Sequence, residues 1–264
     1  MSPPATSQSS GFTADDLATF FVRKVTDIRA ATASSPSADI QPRDTTPFCT
    51  LEPVTVSEVS KLLSSMPAKS CQLDPIPTWL LKQFQDTFAP VITSLCNASF
   101  QYGILPSSQK RAVVLPRLKK PTCDPASLGS YRPISNLSFL SKLIERLIAK
   151  RFVHHAEVNR LFPVHQSSHR RGHSTETAVL CVHNDLVRAV DEKHTAALVL
   201  LDLSAAFDTV DHATLLAVLQ RRFGVHGLAL QWFTSYLSDR TQVFCMNGTE
   251  SQPISVQCLS LIHI

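Results

Sequence analysis

A chain of 264 residues with 44% hydrophobic and 17% charged residues has the apolar material for one large or two small cores, which excludes wholesale disorder. The longest apolar run, residues 196–201, is far short of the roughly 20 residues a membrane-crossing helix needs. The opening MSPPATSQSS has neither the basic nor the apolar stretch of a signal peptide, so an intracellular protein without a membrane span is expected.

The net charge of +4 conceals a local bias. Residues 101–175 carry thirteen Lys and Arg against three acids, Asp124, Glu145 and Glu157, an excess of +10. That excess suits a polyanionic partner and equally a solvated basic surface. The seven cysteines are odd in number, scattered and without a C-x-x-C pair, so reduced thiols are expected.

Residues 1–11 and 31–47, rich in Ser, Thr, Pro and Ala, read as linker. Between them Leu17, Phe20, Phe21, Val25 and Ile28 recur at helical spacing, with Asp15 or Asp16 at the helix start. Ser57 and Glu58 open a helix through Met66; residues 79–100 give two helical stretches broken at Pro90. Residues 111–115 form a short strand closed by Pro116, followed by a basic loop over 117–120. Residues 138–152 carry the apolar stripe Phe139, Leu140, Leu143, Ile144, Leu147 and Ile148, opposite Lys142, Arg146 and Lys150. A second such helix covers 175–190, with Glu176 in its first turn. The continuous apolar run 195–203 predicts a strand buried on both faces. Asp211 caps a helix that Gly224 ends, and residues 228–237 form another. Residues 241–246 lead into Asn247-Gly248, a two-residue hairpin signal.

Chemistry concentrates in LVLLDLSAAFDTVDH, residues 198–212, where an apolar strand would end at Asp202. A carboxylate at the tip of a rigid element suits a metal ligand. Nucleotidyl transfer uses two divalent cations about 3.5 to 4 Å apart, which one Asp cannot hold alone. On spacing alone the favoured reading is that Asp202 merely ends a strand, and Asp208 and Asp211 read as helix caps.

This stretch resembles the first palm motif of non-LTR (LINE-type) retrotransposon reverse transcriptases, in which the metal-binding Asp is followed five residues later by a Phe. YRPISNLSFLSKLIERLI (131–148) resembles their fingers motif and HQSSHRRGHSTETA (165–178) the segment written Q-x-G-F-R-x-G-x-S-T. LDPIPTWLLK (73–82) and WFTSYLSDRTQ (232–242) resemble the flanking segments, so the likeness runs over residues 12–258.

The resemblance implies Asp202 as the metal ligand with the backbone carbonyl of Leu203 as a second contact, and Mg²⁺ as cofactor. It implies Phe207 under the incoming sugar, where its ring would clash with a ribose 2′-hydroxyl; from the residues alone Phe207 is a core aromatic. Arg132 matches the arginine that grips the triphosphate, a task for a planar, always-charged fork. Lys119 or Lys120 would add a contact, or simply form a basic loop. Gln166, Arg170, Gly172, Ser174 and Thr175 fall where template or primer backbone is touched. The implied partners are an RNA template, a DNA primer and deoxynucleoside triphosphates.

Ser168-His169 replaces the usual Gly-Phe, and Arg171 stands where proline is common. His165, His169 and His173 recur every four residues, but Gly172 interrupts any helix and no Cys or carboxylate completes a ligand set, so zinc is not expected. After Cys258 the family continues with a P-Q-G motif and a paired-Asp motif, whereas this sequence reads LSLIHI.

The expected fold is therefore α+β, a partial right-hand polymerase with a helical N-terminal lead-in. Its parts would be a linker with one helix (1–47), a fingers-like region (48–195), a partial palm (196–258) and an off-family tail (259–264). The expected function is that of an RNA-directed DNA polymerase fragment, inactive alone. The alternatives are a non-catalytic nucleic-acid-binding fragment and a decayed reading frame; a relative of intron maturases fits the LSAAFDTVDH wording less well.

Overall fold

The computed structural model describes residues 11–35, 39–202 and 209–256, which fall into two compact units divided at 155/156 and 204/205. The first holds a mixed sheet and most helices. Helix α1 (Ala14–Thr32) starts with a reciprocal cap: Thr13 Oγ1 accepts from the Asp16 N–H at 3.2 Å, and the Asp16 carboxylate accepts from the Thr13 N–H at 2.8 Å. Helices α2 (Val56–Ser65), α3 (Thr78–Gln83) and α4 (Gln85–Tyr102) precede strands β1 (Arg111–Leu118) and β2 (Tyr131–Asn136). Helix α5 (Phe139–Val158) follows; α6 (Thr175–Asp191) lies in the second unit. The first unit resumes with α7 (His212–Phe223), α8 (Gly227–Leu237), β3 (Thr241–Met246), β4 (Thr249–Glu250) and β5 (Ile254–Ser255).

Strand β1 runs antiparallel to β2 and parallel to β3, with Val113 opposite both Asn136 and Val243. Strand alternation then gives the sheet two faces. On one, Val114 and Phe244 pack against Leu17, Ala18 and Phe21 of α1, the Phe21 and Phe244 rings stacked at 5.6 Å. On the other, Val113, Val243 and Cys245 are covered by Leu73. A larger helical core is built from α2, α4, α5 and α8 around Leu63, Leu143, Ile144, Leu147 and Trp232. Trp232 is 1% exposed, stacks on Tyr236 at 5.3 Å, and donates its indole N–H to Ser99 Oγ at 3.0 Å.

The terminal signals of α7 operate as expected. Asp211 accepts from the Thr214 N–H at 2.9 Å, and Gly224 ends the helix at φ +67°. A Cβ there would sit 2.8 Å from the Thr45 methyl group, because the chain before α2 crosses this corner, with Phe48 N–H donating to Gly224 O at 2.7 Å. The β3–β4 hairpin turns through Asn247 (φ 52°) and Gly248 (φ 81°), the positive pair that a type I′ turn demands.

Four features depart from the sequence expectations. Pro116 does not close β1, which continues to Leu118, and residues 131–136 form a second strand. Pro116 lies opposite Pro133, β2 is an edge strand, and pairing of β1 with β3 ends at Val114. Both prolines thus sit where no ladder donor is needed. Pro90 does not break α4; the interruption falls at Phe84. Pro90 removes one helical hydrogen bond in the second turn, and burial of Ala89, Ile92, Cys96 and Phe100 outweighs that loss.

The fourth departure is the largest. Residues 195–202 form no strand and are exposed, Leu200 at 84% and Leu201 at 89%. A strand buried on both faces needs neighbours for its backbone donors and acceptors, and among the described residues none pairs with this run.

A polar group is enclosed where α5 meets α8. The buried Glu145 carboxylate accepts from the Tyr236 hydroxyl at 3.0 Å, and the Arg240 guanidinium lies 4.6 Å over the Tyr236 ring while donating to the Tyr236 carbonyl at 3.1 Å. Burial raises the Glu145 pKa above its ordinary 4.5, with Arg240's charge and the Tyr236 hydrogen bond offsetting part of the rise. The folded carboxyl therefore holds its proton more tightly than the unfolded one. Its contribution to stability is complete below pH 4.5 and is lost as pH rises through the folded value. Glu145→Gln is expected to flatten this decline in urea melts taken at increasing pH; an unchanged slope would assign the decline to another group.

Candidate nucleotide and nucleic-acid interface

The β1–β2 hairpin places two arginines together. Arg117 and Arg132 are directly opposite one another in the register, both exposed, and therefore project from the same face. Like charges so placed destabilise a strand pair, so the pair calls for an anion between them. Among the described residues no carboxylate or carbonyl accepts a hydrogen bond from either guanidinium.

The hairpin itself is tied down. The Lys119 N–H donates to Ser130 O at 2.9 Å, its ammonium to Gly129 O at 2.7 Å, and the Tyr131 hydroxyl to Pro125 O at 3.0 Å. Beneath it the Tyr131 ring meets Phe12 edge-on at 5.6 Å. Two planar forks on a braced hairpin can take the oxygens of a phosphate chain bidentately. Lys119, expected as a phosphate contact, is engaged with the hairpin's own backbone, whereas the Lys120 side chain is exposed. The sequence places Arg117 in a basic loop, and only its register against Arg132 singles it out.

In the second unit, Gln166, Arg170, Gly172, Ser174 and Thr175 lie on one continuous loop and helix start. The Arg170 guanidinium donates to the carbonyls of Pro163 and Gln166, both at 3.3 Å, and lies 5.7 Å over the Phe162 ring, so it staples the loop. Gln166 donates to Ser168 O at 3.3 Å. The chain turns through left-handed conformations at His169 and Gly172. Ser174 caps α6, accepting from the Thr177 N–H at 3.2 Å, and Thr175 is the first helical residue. The Ser174 hydrogen bond, with one from backbone, holds the Glu176 carboxyl below its ordinary range. Residues Arg171 and His173 remain exposed beside this cap.

Asp202 is exposed on the irregular run already described, and Leu203 and Phe207 lie outside the described residues. Among the described residues no group of three His, Cys, Asp or Glu could hold a metal ion. The next described carboxylate in sequence, Asp211, caps α7 and accepts from Arg29 at 3.3 Å, which keeps it below the ordinary carboxylate range. One exposed carboxylate cannot by itself hold two cations.

The sequence that carries most of these elements matches a known family. The model for the reverse transcriptase (RNA-dependent DNA polymerase) family matches residues 118–258, more than half of the chain. The chain belongs to the reverse transcriptase family. Several of its relatives are named as RNA-directed DNA polymerases of non-LTR transposons. It is 32% identical over 204 residues to the probable RNA-directed DNA polymerase from transposon BS of Drosophila melanogaster, covering 77% of this chain and 22% of that protein. It is 33% identical over 166 residues to the RNA-directed DNA polymerase from mobile element jockey of Drosophila funebris, covering 62% and 18%. The probable RNA-directed DNA polymerase from transposon X-element of Drosophila melanogaster shares 33% over 168 residues, 63% and 18%. This reverse transcriptase chain thus spans about a fifth of the length of these curated relatives. The mixed α and β architecture with a single described sheet is consistent with the family.

Proposed function

We propose that this chain is the nucleotide-gripping and strand-gripping part of an intracellular RNA-directed DNA polymerase of a non-LTR transposon, comprising fingers and the start of the palm. The observation that carries the reading is the braced pair Arg117 and Arg132, two exposed guanidiniums held opposite one another with no protein acceptor among the described residues. In this reading the pair takes the triphosphate of an incoming deoxynucleotide, with Lys120 beside it. The 166–175 loop, with Arg171 exposed, faces template or primer backbone. Asp202, the Leu203 carbonyl and Phe207 keep the roles their motif implies: metal ligation by the first two, and discrimination against ribose by the third. Magnesium would supply charge neutralisation at the reacting phosphates in a complete centre.

Binding of deoxythymidine triphosphate to the purified chain tests the reading. A hydrogen bond to a charged group contributes about 1.5 to 3 kcal/mol, reduced by solvent at an exposed site. Arg117→Gln with Arg132→Gln is therefore expected to weaken binding about 10- to 100-fold. Equal affinity of the double variant and the parent would overturn the assignment. A second reading, nucleic-acid binding without catalysis, is favoured by the thirteen Lys and Arg against three acids between residues 101 and 175.

A further inference from the structure

We infer that residues 196–201 form a self-recognition segment, which pairs as an antiparallel strand with the same run of a second copy of this chain. The run reads Ala-Ala-Leu-Val-Leu-Leu, without a charge, a Gly or a Pro. Every residue of it is exposed, Leu198 at 55% and Val199 at 74%. Among the described residues no strand pairs with it and no backbone hydrogen bond reaches it.

A row of unpaired N–H and C=O groups on an extended apolar segment invites a strand from another chain, and edges that stay solitary are guarded by Lys or Pro, which this run lacks. Short uncharged segments of this kind pair with copies of themselves, because matched lengths set each apolar side chain against another. The exposed apolar side chains of α6, Val179 and Leu180 among them, form a rival surface. Its backbone groups, however, are already bonded within the helix, so α6 has no open ladder to offer.

The flanking residues decide the direction of pairing. In a two-fold antiparallel pair, opposite residues share a face, so the axis passes through a residue position. Centring it on Leu198 sets Ala197 opposite Val199 and Ala196 opposite Leu200, a small side chain against a branched one each time. The same register sets His194 opposite Asp202, once at each end of the pair. The His194 Nδ1 atom lies 3.5 Å from the Glu192 carboxylate, which leaves Nε2 to donate to Asp202 of the other copy. A parallel in-register pair would instead stack Asp202 on Asp202, and like charges directly opposite one another are destabilising. Charge complementarity at the two ends therefore selects the antiparallel arrangement.

The pairing involves neither Arg117 nor Arg132, so it stands or falls apart from the nucleotide reading. The test is sedimentation equilibrium of the full chain, expected to show monomer and dimer in proportions that change with concentration. Leu198→Pro with Val199→Pro keeps the run apolar and removes one ladder donor per copy, since one of any two successive N–H groups faces a given neighbour. That variant is expected to dimerise about 10- to 100-fold more weakly. His194→Lys is expected to tighten the dimer about 2- to 30-fold by setting an ammonium opposite each Asp202, whereas in a parallel pair it would stack Lys on Lys and loosen it. Val179→Lys, on the exposed face of α6, should leave the dimer unchanged. Each substitution falls on an exposed side chain, and far-ultraviolet circular dichroism checks that the helices are retained. A parent that stays monomeric at every concentration, a proline variant that dimerises as tightly as the parent, or loss of the dimer in Val179→Lys would overturn the strand pairing. A His194→Lys variant that fails to tighten the dimer would overturn the antiparallel register.

Discussion

Purified as 264 residues, the chain is expected to incorporate no labelled deoxynucleotide on a primed RNA template, although its relatives carry the name of RNA-directed DNA polymerase. Nucleotidyl transfer by two cations about 3.5 to 4 Å apart needs several carboxylates converging on one point. Asp202 stands exposed on an irregular run; Asp211 is committed to the α7 cap and Arg29; Glu145 is enclosed with Tyr236; Glu250 is paired with Arg111 at 2.5 Å. The effect is all-or-none, since positioning alone does not replace the charge the cations neutralise. Incorporation above background that disappears in Asp202→Ala would refute this expectation and show that the remaining ligands assemble on binding substrate.

The largest effect on stability is expected at Trp232. Truncation to alanine removes a side chain 1% exposed, its stacking on Tyr236 and its hydrogen bond to Ser99, and leaves a cavity between α4 and α8. Large aromatic-to-alanine changes in a core cost about 3 to 5 kcal/mol. A domain is stable by only about 5 to 15 kcal/mol, so Trp232→Ala should bring the chain close to unfolding at room temperature. Trp232→Phe retains most of the volume and loses the indole N–H, so its cost should be nearer 1 kcal/mol, the net worth of one hydrogen bond. Urea midpoints of the two variants provide the measurement. Nearly equal losses would mean that the hydrogen bond, and not the packing, anchors this core.

Much of the helical part was legible in the sequence because its signals are local. The Asp211 cap, the left-handed Gly224 end and the Asn247-Gly248 turn each depend on a few neighbouring residues, and each appears in place. The apolar stripe of residues 138–152 likewise needs only helical periodicity to be read, and it became the most deeply packed face of α5. The motif wording from 131 to 242 determined the family, since the order of several short motifs is a property of sequence alone.

What the tertiary structure decided is which distant residues become neighbours and which apolar runs find a partner. Arg117 acquires its significance from Arg132, fifteen residues away, through a strand register that runs past Pro116, where the sequence predicts the strand to close. Neither that ring nor Pro133 opposite it obstructs the hairpin, because β2 is an edge strand and the pairing of β1 with β3 has already ended. The run before Asp202 shows the opposite outcome. Its residues have every local property of a buried strand, yet a strand is defined by hydrogen bonds to neighbours, and among the described residues none is supplied. Periodicity and caps are written in the chain; pairing is a property of two segments at once, and only the folded arrangement specifies it.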